Sequence, residues 1–292
     1  MQAEQFSKRD ERIDPPMKIH LPNASFSKPV SHEPAAETAS RDSILGNWQL
    51  DQLLSTEGLE DQILRYQAAP VGTPQNFDYL VHTPADPKSE SAFSLLYREW
   101  QISQHISNPH LLPVLDIHLD KPPYFIVTPQ LAGGSLRAVL RQRGQLDVYD
   151  TLWILRQAAQ AVCALHTDGW SSPLLQPENM MIEPDGHLTL TAIGHARPFE
   201  KETEFDSASQ IYADTCRLAG LFLEMTNSPW PREKRLGENG SESSDLLRDP
   251  SPSVTALLTE ILNPRMPCDK NSVRILVERL VRLEIEFLPK SA

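Results

Sequence analysis

The side chains of this sequence that are suited to chemistry include a cluster of acids. Glu178, Glu183 and Asp185 fall close together within residues 166–197. Carboxyl groups accept and donate protons near neutral pH when their surroundings adjust their pKa values, so these three are candidates for acid–base work in an enzyme. An enzyme is therefore one hypothesis, and its chemistry depends on what the fold brings beside these acids.

The cysteines predict no metal site. They stand far apart in the chain and form no Cys-x-x-Cys pair: Cys163, Cys216 and Cys268. This usage is typical of a reducing compartment and argues against zinc. The net charge of −12 and the pI near 5.2 disfavour nucleic acid or an anionic membrane surface as the main partner. No apolar run is long enough to span a bilayer, so the sequence predicts a soluble cytoplasmic protein.

The acids belong to a recognisable order of elements. Residues 163–166 predict the end of a helix, and a turn at residues 184–186 (Pro-Asp-Gly) predicts a short hairpin between two loops. Alternating apolar residues predict its two strands: Met180 and Ile182, then Leu188 and Leu190.

This order resembles the catalytic loop and metal loop of the protein kinases, with Pro-Glu-Asn before the first strand and a Gly-containing tripeptide after the second. Counting back from Asn179, the His-Arg-Asp triplet of that family falls on residues 172–174, which read Ser-Pro-Leu. The Asp-Phe-Gly triplet falls on residues 192–194, which read Ala-Ile-Gly. The layout agrees with the family, whereas the acids are replaced.

The resemblance implies a loss of catalytic groups, because phosphoryl transfer on this scaffold is positioning and electrostatics. Leu174 replaces the proton-accepting Asp, and Gln176 replaces the catalytic-loop Lys. Ala192 replaces the Asp that holds magnesium and offers a hard cation no ligand. Asn179 alone is retained, and one Asn cannot hold magnesium.

The first part of the domain shows similar losses. The loop that would cover the phosphates, residues 56–63, keeps only Gly58 and is acidic. In the strand at residues 77–82, His82 stands where the phosphate-gripping Lys is expected. His82 is either an ordinary part-buried His or a modified nucleotide contact, and Arg65 on the preceding strand is an alternative source of the cation. Glu99 falls at the position of the helix Glu that pairs with this Lys, so a solvated Glu and a Glu99–His82 hydrogen bond are both open.

A nucleotide cleft is the site that the resemblance implies. Thr128 matches the residue that gates the pocket behind the base, and residues 129–136 resemble the hinge and the start of the second lobe. The vestigial cleft is predicted to include His82, Glu99, Thr128, Gln130 and Ala132. A hinge can bind a purine through its backbone without catalytic residues.

The remaining matches are structural. Residues 147–167 predict a long buried helix, and Asp214 matches the Asp that holds the backbone of the catalytic loop. The segment at residues 195–210 is short for a peptide-binding platform. An Arg that would pair with this platform is out of register within residues 263–267.

The predicted fold is α+β and bilobal, with a small antiparallel β lobe plus one helix and a larger, mainly helical lobe. A disordered tail is predicted for residues 1–45 and the kinase-like domain for residues 46–288. The small lobe takes residues 46–128, the hinge 129–132 and the large lobe 133–288. Residues 227–250 predict a loop or disordered insert.

Three functions remain open at this stage. The main hypothesis is a pseudokinase, without catalytic residues, metal or a required cofactor, that binds a protein partner such as a signalling protein or an active kinase. The second is a slow kinase or nucleotide-dependent transferase that uses Asp185, Glu178 or Glu183. The third is a nucleotide sensor that binds ATP or ADP without magnesium.

Overall fold

The computed structural model describes residues 44–54, 62–73, 77–199, 204–226, 252–261, 269 and 271–287. Several predicted features lie outside these residues: the tail before Ile44, most of the acidic loop at residues 56–63, the insert at residues 227–250 and the Arg within residues 263–267. Among the described helices, none is long and apolar enough to cross a membrane.

The first part of the domain is a curled antiparallel sheet with one helix. Its strands are β1 (Ile44–Leu45), β2 (Trp48–Leu54), β3 (Ile63–Pro70), β4 (Tyr79–Pro84), β5 (Asp116–His118) and β6 (Phe125–Pro129), in the spatial order β1-β2-β3-β4-β6-β5. Helix α1 (Glu90–His105) begins at Ser89, whose hydroxyl caps the Ala92 amide. Its buried residues include Leu96 and Ile102, and Ile102 belongs to the hydrophobic core of the mainly helical part.

The second part is mainly helical. It contains β7 (Gly134–Ser135), α2 (Leu136–Arg143), α3 (Val148–Thr167), β8 (Met180–Ile182), β9 (Leu188–Leu190), α4 (Glu204–Met225), α5 (Pro252–Ile261) and α6 (Ser272–Phe287). Helix α3 lies at its centre because apolar residues recur along it at helical spacing and are fully buried, for example Leu152, Val162 and Leu165. Strands β7, β8 and β9 form a small antiparallel sheet.

The structure confirms the α+β fold class and the predicted elements, with shifts at their ends. The strand predicted at residues 77–82 runs from Tyr79 to Pro84, two residues later, because its pairing with β3 continues as far as Ile63↔Pro84. Ile44 and Leu45, assigned to the tail, pair with Gln49 and Trp48 as strand β1. The lobe and hinge boundaries stay predictions.

Candidate functional site

The loop before β8 is held by a buried carboxylate. Asp214 on α4 is 1% exposed and accepts hydrogen bonds from the Ser172 amide (2.7 Å), the Ser172 hydroxyl (2.6 Å) and His166 Nε2 (2.9 Å). Burial acts to raise the pKa of Asp214, but the hydrogen bonds from His166 and Ser172 outweigh it and lower the pKa. Asp214 therefore anchors the loop, as predicted from the resemblance.

Asn179 fixes the end of the same loop. Its side chain is buried, and Nδ2 donates to the carbonyl of Leu174 at 3.1 Å. Its own carbonyl accepts from the amide (2.8 Å) and the hydroxyl (3.1 Å) of Thr191. The Oδ1 atom of Asn179 is shielded from solvent and has no hydrogen-bond partner within the described residues. The one retained amide is thus oriented by the loop, while Leu174 contributes only its backbone.

The loop after β9 contains Ala192, which has a left-handed backbone conformation and no side chain that could hold a metal ion. Ala192 lies in the left-handed region with φ 57°, a conformation that costs an Ala roughly 1–2 kcal/mol. Ile193, which follows, is fully buried in the core. No group of three or more metal-binding His, Cys, Asp or Glu side chains occurs in the part of the chain that the structure describes.

Helix α1 contacts this loop at Gly194 through both backbone polar groups. Arg98 Nη1 donates to the Gly194 carbonyl at 2.9 Å, and the Glu99 carboxyl accepts a hydrogen bond from the Gly194 backbone. The approach is so close that a Cβ on Gly194 would lie 2.4 Å from the Leu95 carbonyl oxygen. Sequence reasoning missed Arg98, because nothing in its spacing distinguishes it from a surface Arg.

Glu99 is in neither of the two environments considered from the sequence. It is 6% exposed, so it is not solvated, and His82 bonds to other partners. Burial raises the pKa of Glu99 to about 7, although the charge of Arg65 and the hydrogen bond from Gly194 act in the opposite direction. Glu99 therefore titrates near neutral pH.

His82, Arg65 and Thr128 form a chain of polar contacts across the sheet. Arg65 Nε donates to His82 Nδ1 at 3.3 Å, and His82 Nε2 lies 2.9 Å from Thr128 Oγ1. Burial, with the nearby Arg65 charge, lowers the pKa of His82 to about 3. His82 is thus a neutral, buried ring at physiological pH.

The remaining predicted cleft residues lie at the end of β6. The backbone N–H of Gln130 donates to the Asp78 carbonyl at 2.8 Å, and the side-chain oxygen of Gln130 accepts from Gln67 Nε2 at 3.2 Å. Ala132 is exposed. Gly133 beside it packs against β8 so closely that a Cβ would lie 1.9 Å from the Ile182 carbonyl oxygen.

The three candidate acids do not converge on one point. Glu178 pairs with Arg137 (Nε to Oε1 2.6 Å). Burial acts to raise the pKa of Glu178, but the hydrogen bond from Arg137 outweighs this and lowers it. Asp185 is exposed and accepts from the His187 amide within the hairpin turn, and Glu183 lies at the start of the same turn. These contacts give the side chains of Glu178 and Asp185 structural roles, while Glu183 contributes backbone hydrogen bonds to the turn.

The fold and the positions of these loops define a protein kinase-like domain. Residues 81–216 match the protein kinase domain family. The chain is similar to serine/threonine-protein kinase PknD of Mycobacterium tuberculosis, with 30% identity over 35% of this chain and 15% of that protein. A probable serine/threonine-protein kinase pknA2 of Bifidobacterium longum is 23% identical over 68% of this chain and 24% of its own length.

A plant relative gives the same result. Serine/threonine-protein kinase UCNL of Arabidopsis thaliana is 36% identical over 39% of this chain and 30% of its own length. The aligned parts span 15 to 30% of the lengths of these three relatives. The bilobal architecture, the family match over residues 81–216 and the relatives together support a protein kinase-like domain.

Proposed function

We propose that this chain is a pseudokinase domain, which keeps the protein kinase fold but does not transfer phosphate and acts through contacts with a protein partner. The observation that carries the proposal is the pair of side chains at the two central catalytic positions. Leu174 has no oxygen to accept a proton, and Ala192 has no ligand for magnesium. In an active kinase, each of the two Asp carboxylates expected at these positions accounts for orders of magnitude in rate.

The packing around the loops supports this proposal. Asp214 anchors the loop at Ser172, and α1 holds the loop at Gly194, so the loops are held in place around the positions where the catalytic side chains are replaced. Intact scaffolding is expected if selection acts on shape rather than on turnover. A cytoplasmic location and a partner that is a signalling protein or an active kinase are parts of the proposal.

The relatives are named as serine/threonine kinases, so a slow enzyme with non-standard residues is the direct competitor of this proposal. Two of the three acids that such an enzyme could use have structural contacts. Glu178 is tied to Arg137, and Asp185 closes the hairpin turn. These contacts favour the inactive domain.

The deciding experiment measures phosphate transfer with radiolabelled ATP and magnesium, to the chain itself and to a generic protein substrate. We expect no transfer above that of an Asn179→Ala variant purified in the same way, because Asn179 is the only family metal position that retains a ligand. Transfer by the wild type that the Asn179→Ala variant loses would show that the chain is an enzyme and overturn the proposal.

A second candidate function, a nucleotide sensor that needs no metal, is favoured by one observation. The sheet presents a partly buried cation, Arg65, beside the neutral His82, which matches the position of the family's strand Lys. We expect ATP or ADP to raise the unfolding midpoint in the presence of a chelator, since a ligand at a hundredfold excess over its dissociation constant stabilises by about 2.7 kcal/mol. The absence of any shift would leave protein binding alone.

A further inference from the structure

Arg65 and the former Lys position point to the same face of the sheet. Arg65 on β3 and His82 on β4 are directly opposed in the antiparallel register, Arg65↔His82. Side chains of directly opposed residues project from the same face and lie close together. Thr128 on β6 contacts the same His82 ring, and the charge of Glu99 on α1 acts on Arg65, so this face is the one towards α1.

The contact between Arg65 and His82 has one consistent proton arrangement. The Nε–H of an Arg can only donate, so His82 Nδ1 is the acceptor and carries no proton. The ring proton therefore lies on Nε2 and is donated to Thr128 Oγ1. Both ring nitrogens are used, and His82 acts as a neutral support that orients the Arg65 guanidinium.

The guanidinium itself is incompletely satisfied. Arg65 Nη1 is shielded from solvent and has no hydrogen-bond partner within the described part of the chain. Burial lowers the pKa of Arg65, while the charge of Glu99 acts to raise it. The guanidinium of Arg65 stays charged, because an Arg side chain loses its proton only in strongly basic solution. Glu99 acts on Arg65 through its charge, and none of the ion pairs within the described residues joins these two side chains. A buried charged donor without a partner is costly unless a ligand completes it.

We propose that Arg65 is the phosphate-binding residue of this cleft, placed one strand away from the usual position, with His82 as its support. The chemical class of the ligand is a phosphate ester or polyphosphate, held by charge-assisted hydrogen bonds to the guanidinium. The inference deepens the nucleotide-sensor candidate and rests on it. It needs no magnesium, because the Arg supplies the positive charge.

Glu99 opposes such a ligand. The charge of Arg65 on β3 acts on Glu99, and the Glu99 carboxyl accepts a hydrogen bond from the Gly194 backbone. An ionised Glu99 competes with a phosphate for the field of the same guanidinium. A phosphate ligand therefore binds more tightly when Glu99 is protonated, and its binding takes up a proton.

The experiment titrates the purified full chain in EDTA with three probes: ADP, adenosine and inorganic pyrophosphate. Dissociation constants are measured by calorimetry for the wild type, Arg65→Gln, Arg65→Lys and the control Arg274→Gln, a surface Arg on α6 with a 59% exposed side chain. We expect Arg65→Gln to weaken ADP binding at least tenfold and to leave adenosine unchanged. Arg65→Lys, which keeps the charge, stays within a few-fold of the wild type, as does the control.

The probes distinguish the sources of the phosphate. If the chain binds ADP but not pyrophosphate, the ligand is a nucleotide. If it binds pyrophosphate but not ADP, the ligand is a free phosphate anion. Either result supports the role of Arg65 if Arg65→Gln abolishes the binding. Equal binding of ADP by the wild type and Arg65→Gln overturns the proposal, and so does a wild type that binds neither phosphate probe. Neither outcome bears on phosphate transfer, so the failure of this inference is separate from the failure of the pseudokinase proposal.

A second variant tests the proposal without touching Arg65. Glu99→Gln keeps an oxygen for the Gly194 amide and removes the competing charge. At pH 8.5 we expect it to bind ADP several-fold more tightly than the wild type, with the difference shrinking towards pH 7. Identical ADP binding by both proteins at pH 8.5 would contradict the placement of the phosphate beside Arg65.

Discussion

Arg98 and Gly194, 96 residues apart in the sequence, are joined by a 2.9 Å hydrogen bond from the guanidinium to the glycine carbonyl. Glu99, the next residue on α1, accepts from the backbone of the same glycine. According to the family resemblance, Glu99 would pair with a Lys on the strand, but here it has a different partner. Helix α1 is held against the loop after β9 without that ion pair, which explains how the arrangement tolerates the replacement of Lys by His82.

The close approach at Gly194 predicts a strong effect of a single methyl group. A Cβ there would lie 2.4 Å from the backbone oxygen of Leu95, so Gly194→Ala must push α1 away from the loop. We expect a loss of about 1–3 kcal/mol in unfolding free energy, typical of overpacking. Urea denaturation measures the loss, and amide hydrogen exchange of residues 90–105 should show faster local opening.

Gly144 provides the control for this substitution. A Cβ at Gly144 meets no atom within 4 Å, but its φ of +78° strains any side chain. Gly144→Ala should therefore cost about 1 kcal/mol and leave hydrogen exchange in α1 unchanged. Faster exchange in α1 for both variants would mean that α1 responds to global stability, and the close contact would lose its special role.

The hydrogen bonds of Asp214 predict a large cost when its carboxylate is removed. Asp214→Ala leaves the amide and hydroxyl of Ser172 and the ring of His166 without their acceptor in a buried site. We expect a loss of about 3 kcal/mol or more in urea unfolding. Arg217→Ala, which removes a half-exposed partner of the same carboxylate, should cost under about 1 kcal/mol.

The pH dependence of this contribution follows from the lowered pKa of Asp214. Its folded-state pKa lies below the usual 3.8, so the stabilisation is fully present above pH 3.8 and is lost as the pH falls through the folded-state value. Wild type and Asp214→Ala should therefore converge in stability in strong acid. A constant difference down to pH 2 would show that the effect is packing rather than charge.

The sequence predicted local patterns well and long-range registers poorly. The helical spacing in residues 147–167 and the Pro-Asp-Gly turn led to the right elements because each depends on neighbours in the chain. Asp214, whose contact with Ser172 spans 42 residues, was predicted from the family resemblance instead. The opposition of Arg65 and His82 could only be guessed, because register across β3 and β4 depends on a connection whose geometry no residue pattern fixes. The burial of Glu99 was missed because its usual partner was absent from the sequence.

Ala192 predicts an unusual outcome for a glycine substitution. Ala192 has a left-handed φ of 57°, and Ala192→Gly relieves the strain of this conformation. Ala196 in the same loop has an ordinary φ of −60°. Both methyl groups are buried. Ala192→Gly should be neutral or stabilising by up to about 1 kcal/mol, whereas Ala196→Gly should lose about 1 kcal/mol or more. Equal losses for the two variants in urea denaturation would mean that Ala192 carries no backbone strain.

Glu99 predicts that the domain becomes less stable as the pH rises towards neutrality. Its pKa is raised from 4.5 to about 7 by burial, so the folded state holds a proton that the unfolded state has released between these values. The contribution of Glu99 to stability is therefore greatest below about pH 4.5 and declines by up to about 3 kcal/mol by pH 7 before levelling off.

In Glu99→Gln this decline should be absent, so the unfolding free energy of the variant should rise relative to that of the wild type as the pH rises from 5 to 8. Urea unfolding of both proteins across that range measures the difference, with Glu90→Gln, at the exposed start of the same helix, as the matched control. A difference between wild type and Glu99→Gln that does not change with pH would show that Glu99 keeps its ordinary pKa and that the loop contact at Gly194 is not tied to protonation.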